Sequence, residues 1–118
     1  MSSLTSIAHK KGFSIDATAT IGDAMAAMLG NKDGSVVLID SGYPVALVTE
    51  GLLISLIEEG VDLTRPVKSI ASSPVITVHE NRPMEAAFDL IITNNIRRLV
   101  LVDDDGVYCG MVLQEDLL

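Results

Sequence analysis

Residues 36–40 read Val-Val-Leu-Ile-Asp, and 63 positions later residues 99–103 read Leu-Val-Leu-Val-Asp. Both runs are short, apolar, rich in β-branched residues and followed by a turn-forming stretch, so they predict two equivalent buried strands. Ser-Ile-Ala at residues 6–8 recurs at residues 69–71 with the same spacing. The chain therefore consists of two copies of one unit.

Each copy is short for an independent domain, because a unit of about 60 residues buries too little surface on folding. We therefore predict a single domain made from two repeats, residues 1–62 and 63–118, packed with pseudo-twofold symmetry. Such a pair leaves a cleft between equivalent edges of the two copies. A small ligand is expected in that cleft.

A helix is predicted at the same place in both copies. Apolar residues recur at i, i+3, i+4, i+7 and i+8 from Ile21 and again from Met84, which is the buried stripe of an amphipathic helix. Thr20 and Asp23 have the spacing of a capping box at the start of the first helix. Pro83 stands where the first turn of the second helix tolerates proline.

Strands are predicted on both sides of these helices. Residues 13–15 and 74–78 open the two copies as short strands, and residues 45–48 and 109–113 return as the second strand of a hairpin. With a final helix, each copy becomes a β-α-β-β-α unit. The predicted fold class is α+β.

The two copies differ at their ends. The first copy continues into a second amphipathic helix closed by Gly60, whereas Leu118 corresponds to Ile54 and counterparts of residues 55–60 are missing from the second copy. This difference favours a fragment of a longer protein over a naturally short terminus.

Composition and charge narrow the classes of partner. The 118 residues are 48% apolar with a formal net charge of −8, which argues against disorder and against binding to nucleic acid or anionic lipid. Cys109 is the only cysteine, so no internal disulfide can form. No run approaches the roughly 20 apolar residues of a membrane span, and no signal-peptide pattern opens the chain. We predict a cytoplasmic protein without membrane insertion.

This succession of elements resembles a tandem CBS domain, which is also called a Bateman module. The segments that carry the resemblance occur in the same order in both copies: residues 21–28, 36–40 and 46–50 in the first, and residues 75–78, the helix from Met84, then 97–103, 110–112 and 116–118 in the second. The resemblance implies a regulatory module rather than an enzyme. Its cleft would bind AMP, ADP, ATP or S-adenosylmethionine and influence an attached effector domain, and its helices would form a homodimer.

The resemblance also implies a ribose-binding Thr/Ser-x-x-Asp element where the last strand meets the last helix. Neither copy of this chain has the complete element. The first copy has Thr49 but carries Leu52 in place of the aspartate, and the second copy has Asp116 but carries Leu113 in place of the threonine. A carboxylate can accept both hydrogens of a ribose diol, and leucine cannot accept a hydrogen bond. Asp116 is therefore the predicted ribose ligand.

Other candidate contacts follow from the same resemblance. Arg97 and Arg98 stand where nucleotide-binding members of the family carry basic residues that reach phosphates, and guanidinium groups can form bidentate contacts there. Their equivalents in the first copy, Gly34 and Ser35, carry no charge. The family's first strand holds an adenine edge, so the remaining candidate ligand contacts are Ile15, Ile76, Thr77 and Val78, with Thr49 and Leu113 from the divided element.

Each candidate also has a purely structural interpretation. Asp116 could cap the last helix, Arg97 and Arg98 could pair with acids such as residues 103–105, and Thr49 could simply line a strand end. A degenerate pair that serves only as a dimerisation scaffold, without nucleotide binding, is therefore the alternative function.

Catalysis and metal binding are not predicted. His9 and His79 stand in dissimilar contexts with no cysteine or histidine cluster beside them. Residues 103–106 are acidic but lack the spacing of a calcium-binding loop, which favours a hairpin turn. No nucleophile–base set can be placed on the predicted elements, so the function is not expected to be enzymatic.

Overall fold

The computed structural model describes residues 4–8, 14–30, 34–71 and 75–117. The chain divides into two compact units. The first unit is formed within Gly12–Val75, and the second unit combines Ile76–Leu118 with the N-terminal segment Met1–Lys11.

The first unit contains a three-stranded sheet and two helices. Its elements are β1 (Ser14–Asp16), α1 (Ile21–Leu29), β2 (Ser35–Asp40), β3 (Tyr43–Thr49) and α2 (Glu50–Glu58), followed by a 3₁₀ turn at Val67–Ser69. The strand order is β1-β2-β3, in which β1 is parallel and β3 antiparallel to the central strand.

The second unit repeats this arrangement. Its elements are a 3₁₀ turn at Leu4–Ser6, then β4 (Thr77–His79), α3 (Met84–Asn94), β5 (Arg98–Val102), β6 (Tyr108–Leu113) and a 3₁₀ turn at Gln114–Leu117. Its strand order is β4-β5-β6 with the same parallel and antiparallel pairings. The predicted α+β fold class and the repeated β-α-β-β order are confirmed.

Several boundaries differ from the predicted ones. The strand β4 begins later than predicted, since Val75 and Ile76 precede it. Phe13 and Pro74, the predicted first residues of the two opening strands, lie outside the described residues. Pro83 is the N-cap residue of α3 rather than a residue of its first turn. The pseudo-twofold packing and the repeat boundary between residues 62 and 63 stay predictions.

The capping box predicted at the start of α1 is confirmed. Thr20 Oγ1 accepts a hydrogen bond from the Asp23 amide at 3.1 Å, and Asp23 Oδ2 accepts one from the Thr20 amide at 3.0 Å. Two amides that the helix leaves without intrahelical partners are thereby satisfied. Pro83 has no N–H to satisfy, so α3 begins without this arrangement.

The central strand of each sheet lies at the core of its unit. Residues 35–38 of β2 and residues 99–101 of β5 are buried, as near-continuous apolar runs predict for strands covered on both faces. The helices contribute Ile21 and Ala24 to the first core and Ala87 to the second. Among the described residues, no helix combines the length and the apolar character that crossing a membrane requires.

The segments that lead into the two repeats are exchanged between the units. Val67, near the start of the second repeat, is 0% exposed in the core of the first unit, and its amide donates to Ala19 O at 2.9 Å. Leu4, near the start of the first repeat, is 0% exposed in the core of the second unit, and its amide donates to Arg82 O at 3.2 Å. Each core is therefore completed by the opening segment of the other repeat.

Removing the Leu4 side chain should destabilise the second unit selectively. We expect Leu4→Ala to lower the free energy of unfolding by about 2–5 kcal/mol, because it leaves a cavity in a closed core. Denaturant unfolding checks the magnitude, and hydrogen exchange should accelerate in β5 more than in β2. The control is Leu63→Ala, whose side chain is 43% exposed, belongs to neither core and should change stability by less than about 1 kcal/mol. Equal stability of both variants would contradict the role of Leu4.

Candidate functional site

The candidate phosphate and ribose ligands of the second unit lie at one junction. Arg98, the first residue of β5, is paired with Leu113, the last residue of β6. Next to this pair, the Gln114 amide donates to Arg97 O at 2.8 Å. We call Arg97, Arg98, Leu113 and Asp116 the second-unit site.

Asp116 holds the end of β6 through the backbone. Its Oδ2 accepts a hydrogen bond from the Leu113 amide at 2.9 Å, in a partly buried position. This is the contact that Asp23 makes with the amide of Thr20 at the start of α1. The capping role considered for Asp116 is therefore present. A carboxylate has about four lone-pair sites on two oxygens, so this bond does not by itself preclude a ribose hydroxyl.

The two arginines differ in exposure, with Arg97 exposed and Arg98 half-buried. Pairing of either one with residues 103–105 is disfavoured, because those residues follow the other end of β5. At roughly 3.3 Å per residue, Arg98 and Asp103 are about 16 Å apart along the strand. Asp103 is also engaged within its own turn, where its Oδ1 accepts from the amides of Asp105 and Val107 at 2.9 and 3.0 Å.

The acidic hairpin turn predicted at residues 103–106 is confirmed. The Gly106 amide donates to Asp103 O at 3.0 Å, and the Asp103 amide donates to Val107 O at 3.0 Å. Asp104 leaves this turn to contact His79, whose Nε2 lies 2.5 Å from Asp104 Oδ1. Among the residues that the structure describes, no group of three histidine, cysteine or acidic side chains converges as a metal site would require.

The strand predicted to hold an adenine edge is β4, which forms one edge of its described three-stranded sheet. The Val100 amide donates to Ile76 O at 3.1 Å, so that carbonyl is used within the sheet. Backbone groups of consecutive residues alternate in direction along a strand. Val78 therefore turns its N–H and C=O toward β5, and Thr77 turns them away. Among these three candidates, Thr77 offers its backbone groups to the edge.

Most of the second-unit candidates lie toward the same end of the sheet, whereas Val78, paired with Leu101, lies further along it. Because β4 and β5 are parallel, Ile76 and Arg98 both stand where their strands begin. Because β6 is antiparallel to β5, its last residue, Leu113, stands there too. Ile15 and Thr49 belong to the first unit.

The first unit carries the same junction with different side chains. Thr49 is the N-cap residue of α2, but its side chain makes no capping bond. Leu52 stands at the third helical position, which corresponds to Asp116. Ile15 is paired with Leu38 across the parallel ladder, as Val78 is with Leu101. The threonine of the Thr/Ser-x-x-Asp element therefore lies in the first unit, and its aspartate lies in the second.

Two carboxylates of the first unit are held by turns. The hydroxyl and amide of Thr18 donate to Asp16 at 2.6 and 2.8 Å, and these bonds lower the pKa of the Asp16 carboxyl. The amide and hydroxyl of Thr64 lower the pKa of Asp62 in the same way. His79 is the counterpart of Asp16, and its Nδ1 accepts from the Asn81 amide at 3.0 Å. These groups stabilise turns and are not part of the candidate site.

Sequence reasoning missed two neighbours of the site, Glu50 and Gln114. Each is the first residue after the last strand of its unit, and each donates its amide to the residue before the central strand. The repeat alignment places them at equivalent positions, so comparison of their charges could have identified them.

Comparisons with known proteins agree with this architecture. The CBS domain family pattern matches residues 67–118. An uncharacterized protein of Methanopyrus kandleri is 36% identical over 88 residues, which is 72% of this chain and 45% of that protein. A CBS domain protein of Pyrobaculum aerophilum, solved with AMP, is 29% identical with a TM-score of 0.84, covering 98% of this chain and 89% of its own.

A more distant structure shares the fold. The CBS domain of a bacterial CNNM/CorC family Mg²⁺ transporter, solved in complex with ATP, is 21% identical with a TM-score of 0.80 and is matched over 98% of this chain and 84% of its own. The chain spans 45% of the Methanopyrus protein and only 23% of an uncharacterized Methanocaldococcus jannaschii relative. The matched relatives are therefore longer than the region they share with this chain.

Proposed function

We propose, from the premise that this chain belongs to the CBS domain family as a tandem pair, that it is a cytoplasmic regulatory module binding a phosphorylated adenosine compound. Binding controls an effector domain attached in the full-length protein, and the module itself performs no chemistry. The ligand occupies the second-unit site and the adjoining edge of β4.

The observation that carries this proposal is the convergence of opposite chemistries at one sheet end. Arg98 is paired with Leu113, and the Leu113 amide is held by Asp116. The backbone pairing thereby places Asp116, a candidate diol acceptor, close along the sheet end to Arg97 and Arg98, which are almost 20 residues earlier in the chain. This is the combination that a nucleoside phosphate requires, because its ribose donates hydrogen bonds and its phosphate accepts them.

The candidate ligands are AMP, ADP, ATP and S-adenosylmethionine. The Pyrobaculum relative, which was solved with AMP, supports AMP as the first to test. Arg97 and Arg98 also favour ligands with a phosphate over S-adenosylmethionine, whose sulfonium is positively charged. Backbone groups of Thr77 at the edge of β4 are suited to an adenine edge.

Replacing Asp116 should weaken nucleoside binding while the turn after β6 keeps its structure. We expect Asp116→Asn to weaken both AMP and adenosine at least about tenfold, since the ribose loses a charged acceptor while the amide oxygen can still accept from Leu113. Isothermal titration calorimetry measures the affinities. Asp89→Asn, an exposed change on α3, is the matched control and should bind like the unmodified chain. An unchanged affinity in Asp116→Asn would show that Asp116 does not bind the ligand.

Replacing the arginines should discriminate between ligands. We expect the Arg97→Ala and Arg98→Ala double variant to lose about 1.5–3 kcal/mol of AMP binding for each charged hydrogen bond removed, and to keep most of its adenosine binding. The control is Arg82→Ala, since Arg82 follows β4 at the opposite end of the sheet. Equal losses for AMP and adenosine would place the arginines away from the phosphate.

A specific observation favours a second function, that of a homodimerisation scaffold. Apolar side chains are exposed along helix faces in both units, including Leu29 and Ile54 in the first and Phe88 and Ile92 in the second. In the first unit they border a groove of about 200 Å³ between α1 and α2. Contiguous exposed apolar surface is typical of interaction sites, and a second copy of the chain would present the same surface in return.

Charges placed on this surface should separate the copies. We expect Leu29→Glu with Ile92→Glu to shift the chain from dimer to monomer in light scattering, because burying an unpaired carboxylate is costly. Tyr43→Glu, at an exposed position on β3, is the control and should leave the dimer intact. A chain that is monomeric at high concentration would contradict this function, and a dimer indifferent to every nucleotide would favour it over sensing.

A further inference from the structure

We propose that the residue following the last strand of each unit, Glu50 in the first and Gln114 in the second, determines whether that unit admits a phosphorylated ligand. Glu50 excludes phosphate from the first unit, which leaves one phosphate-binding unit per chain. This inference rests on the proposed function and names the residue that sets its ligand class.

The carboxylate of Glu50 covers the start of β2. The Glu50 amide donates to Gly34 O at 2.7 Å, and its side chain folds back over the same residue. A Cβ on Gly34 would lie 2.6 Å from Glu50 Oε2 and 3.2 Å from Glu50 Cβ. Gly34 also has φ of +76°, which disfavours any other residue. The residue that precedes β2 therefore cannot carry a basic side chain while Glu50 keeps this position.

The second unit has the same backbone contact, but its charged residue is a base before the central strand rather than an acid after the last strand. The Gln114 amide donates to Arg97 O at 2.8 Å, as the amide of Glu50 donates to Gly34. Arg97 is not among the positive-φ residues, and its side chain is exposed. One junction thus presents a carboxylate over glycine, and the other presents an uncharged amide beside an arginine.

Other charges at these junctions do not account for the contrast. Glu115 adds a negative charge to the second unit at the place of Gly51, but it lies one residue further from the backbone contact with Arg97. Asp116 is also negative, and its carboxylate binds the Leu113 amide. Like charges a few ångströms apart repel most strongly where water is partly displaced. Glu50, at the residue whose counterpart contacts Arg97, is therefore the charge that a phosphate would meet in the first unit.

The decisive experiment transfers this charge to the second unit. We expect Gln114→Glu to weaken AMP about tenfold or more in calorimetry, because the new carboxylate pairs with Arg97 and repels the phosphate. Adenosine, which has no phosphate, should bind within about twofold of the unmodified chain. The control is Asn81→Asp, which adds the same charge at the opposite end of the sheet and should change neither affinity.

A reciprocal experiment tests the first unit. In ¹⁵N NMR titrations, AMP at millimolar concentration should shift the Gly34 amide in Glu50→Gln but not in the unmodified chain. Glu59→Gln, an exposed acid at the other end of α2, is the matched control and should behave like the unmodified chain. A Gly34 amide that responds to AMP before Glu50 is changed, or that stays silent afterwards, overturns the assignment to Glu50.

The outcomes separate this inference from the function on which it rests. If the unmodified chain binds neither AMP nor adenosine, the proposed function and this inference are both wrong. If it binds AMP through Asp116 but Gln114→Glu weakens AMP and adenosine equally, or weakens neither, the proposed function stands and this inference is wrong. A selective loss of AMP supports it.

Discussion

The antiparallel pairing of each central strand with the strand that follows is the constraint on which the rest of the structure depends. In the second unit, Leu99–Leu101 are buried and are paired with Val112, Met111 and Gly110. Both faces of β5 are covered, so a slip of one residue would exchange the side chains packed on the two faces, and close packing therefore fixes the register. The same register brings Arg98 opposite Leu113. Core packing and the positions of the candidate site residues are set by one ladder.

Both units contain the same irregularity in this ladder. The register shifts between Leu38 and Ile39 in the first unit and between Leu101 and Val102 in the second. These positions are 63 residues apart, as the repeat predicts. The additional residue of the second copy is absorbed in the turn after Asp103 and leaves the bulge in place. In both units the shift skips one residue of the returning strand, which is the pattern of a β-bulge, so this feature belongs to the repeated unit.

The sequence predicted those features that depend on local periodicity. The stripe from Ile21, its capping box and the paired apolar runs were recognisable because each needs only neighbouring residues. The exchange of the opening segments could not be predicted, since an apolar Leu4 or Val67 indicates burial but does not indicate which core it joins. The position of the Glu50 side chain over Gly34 could not be predicted either, because it depends on a positive φ and a close approach. Long-range contacts of single side chains separate these cases from the periodic ones.

The residues of the candidate site could be predicted from the sequence, but the hydrogen bonds that hold them could not. Asp116 could be selected for ribose binding from its position after Leu113, but its bond to the Leu113 amide becomes visible only in three dimensions. That bond connects a ligand-binding candidate to the backbone ladder. Arg98 lies directly across the ladder from Leu113, so the acid and the base share one structural support.

This shared support suggests how occupancy of the site could be transmitted. A ligand that accepts from Arg98 and donates to Asp116 would act on both sides of the same residue pair, and on the 3₁₀ turn that begins at Gln114. A ligand shifts an equilibrium only as far as its affinities for the two conformations differ. The Asp116 carboxylate can supply such a difference, because any rearrangement of the turn that weakens its bond to the Leu113 amide also changes what it offers to a ribose. If the proposed function is correct, we expect a bound nucleotide to act on the turn after β6 rather than on the buried ladder.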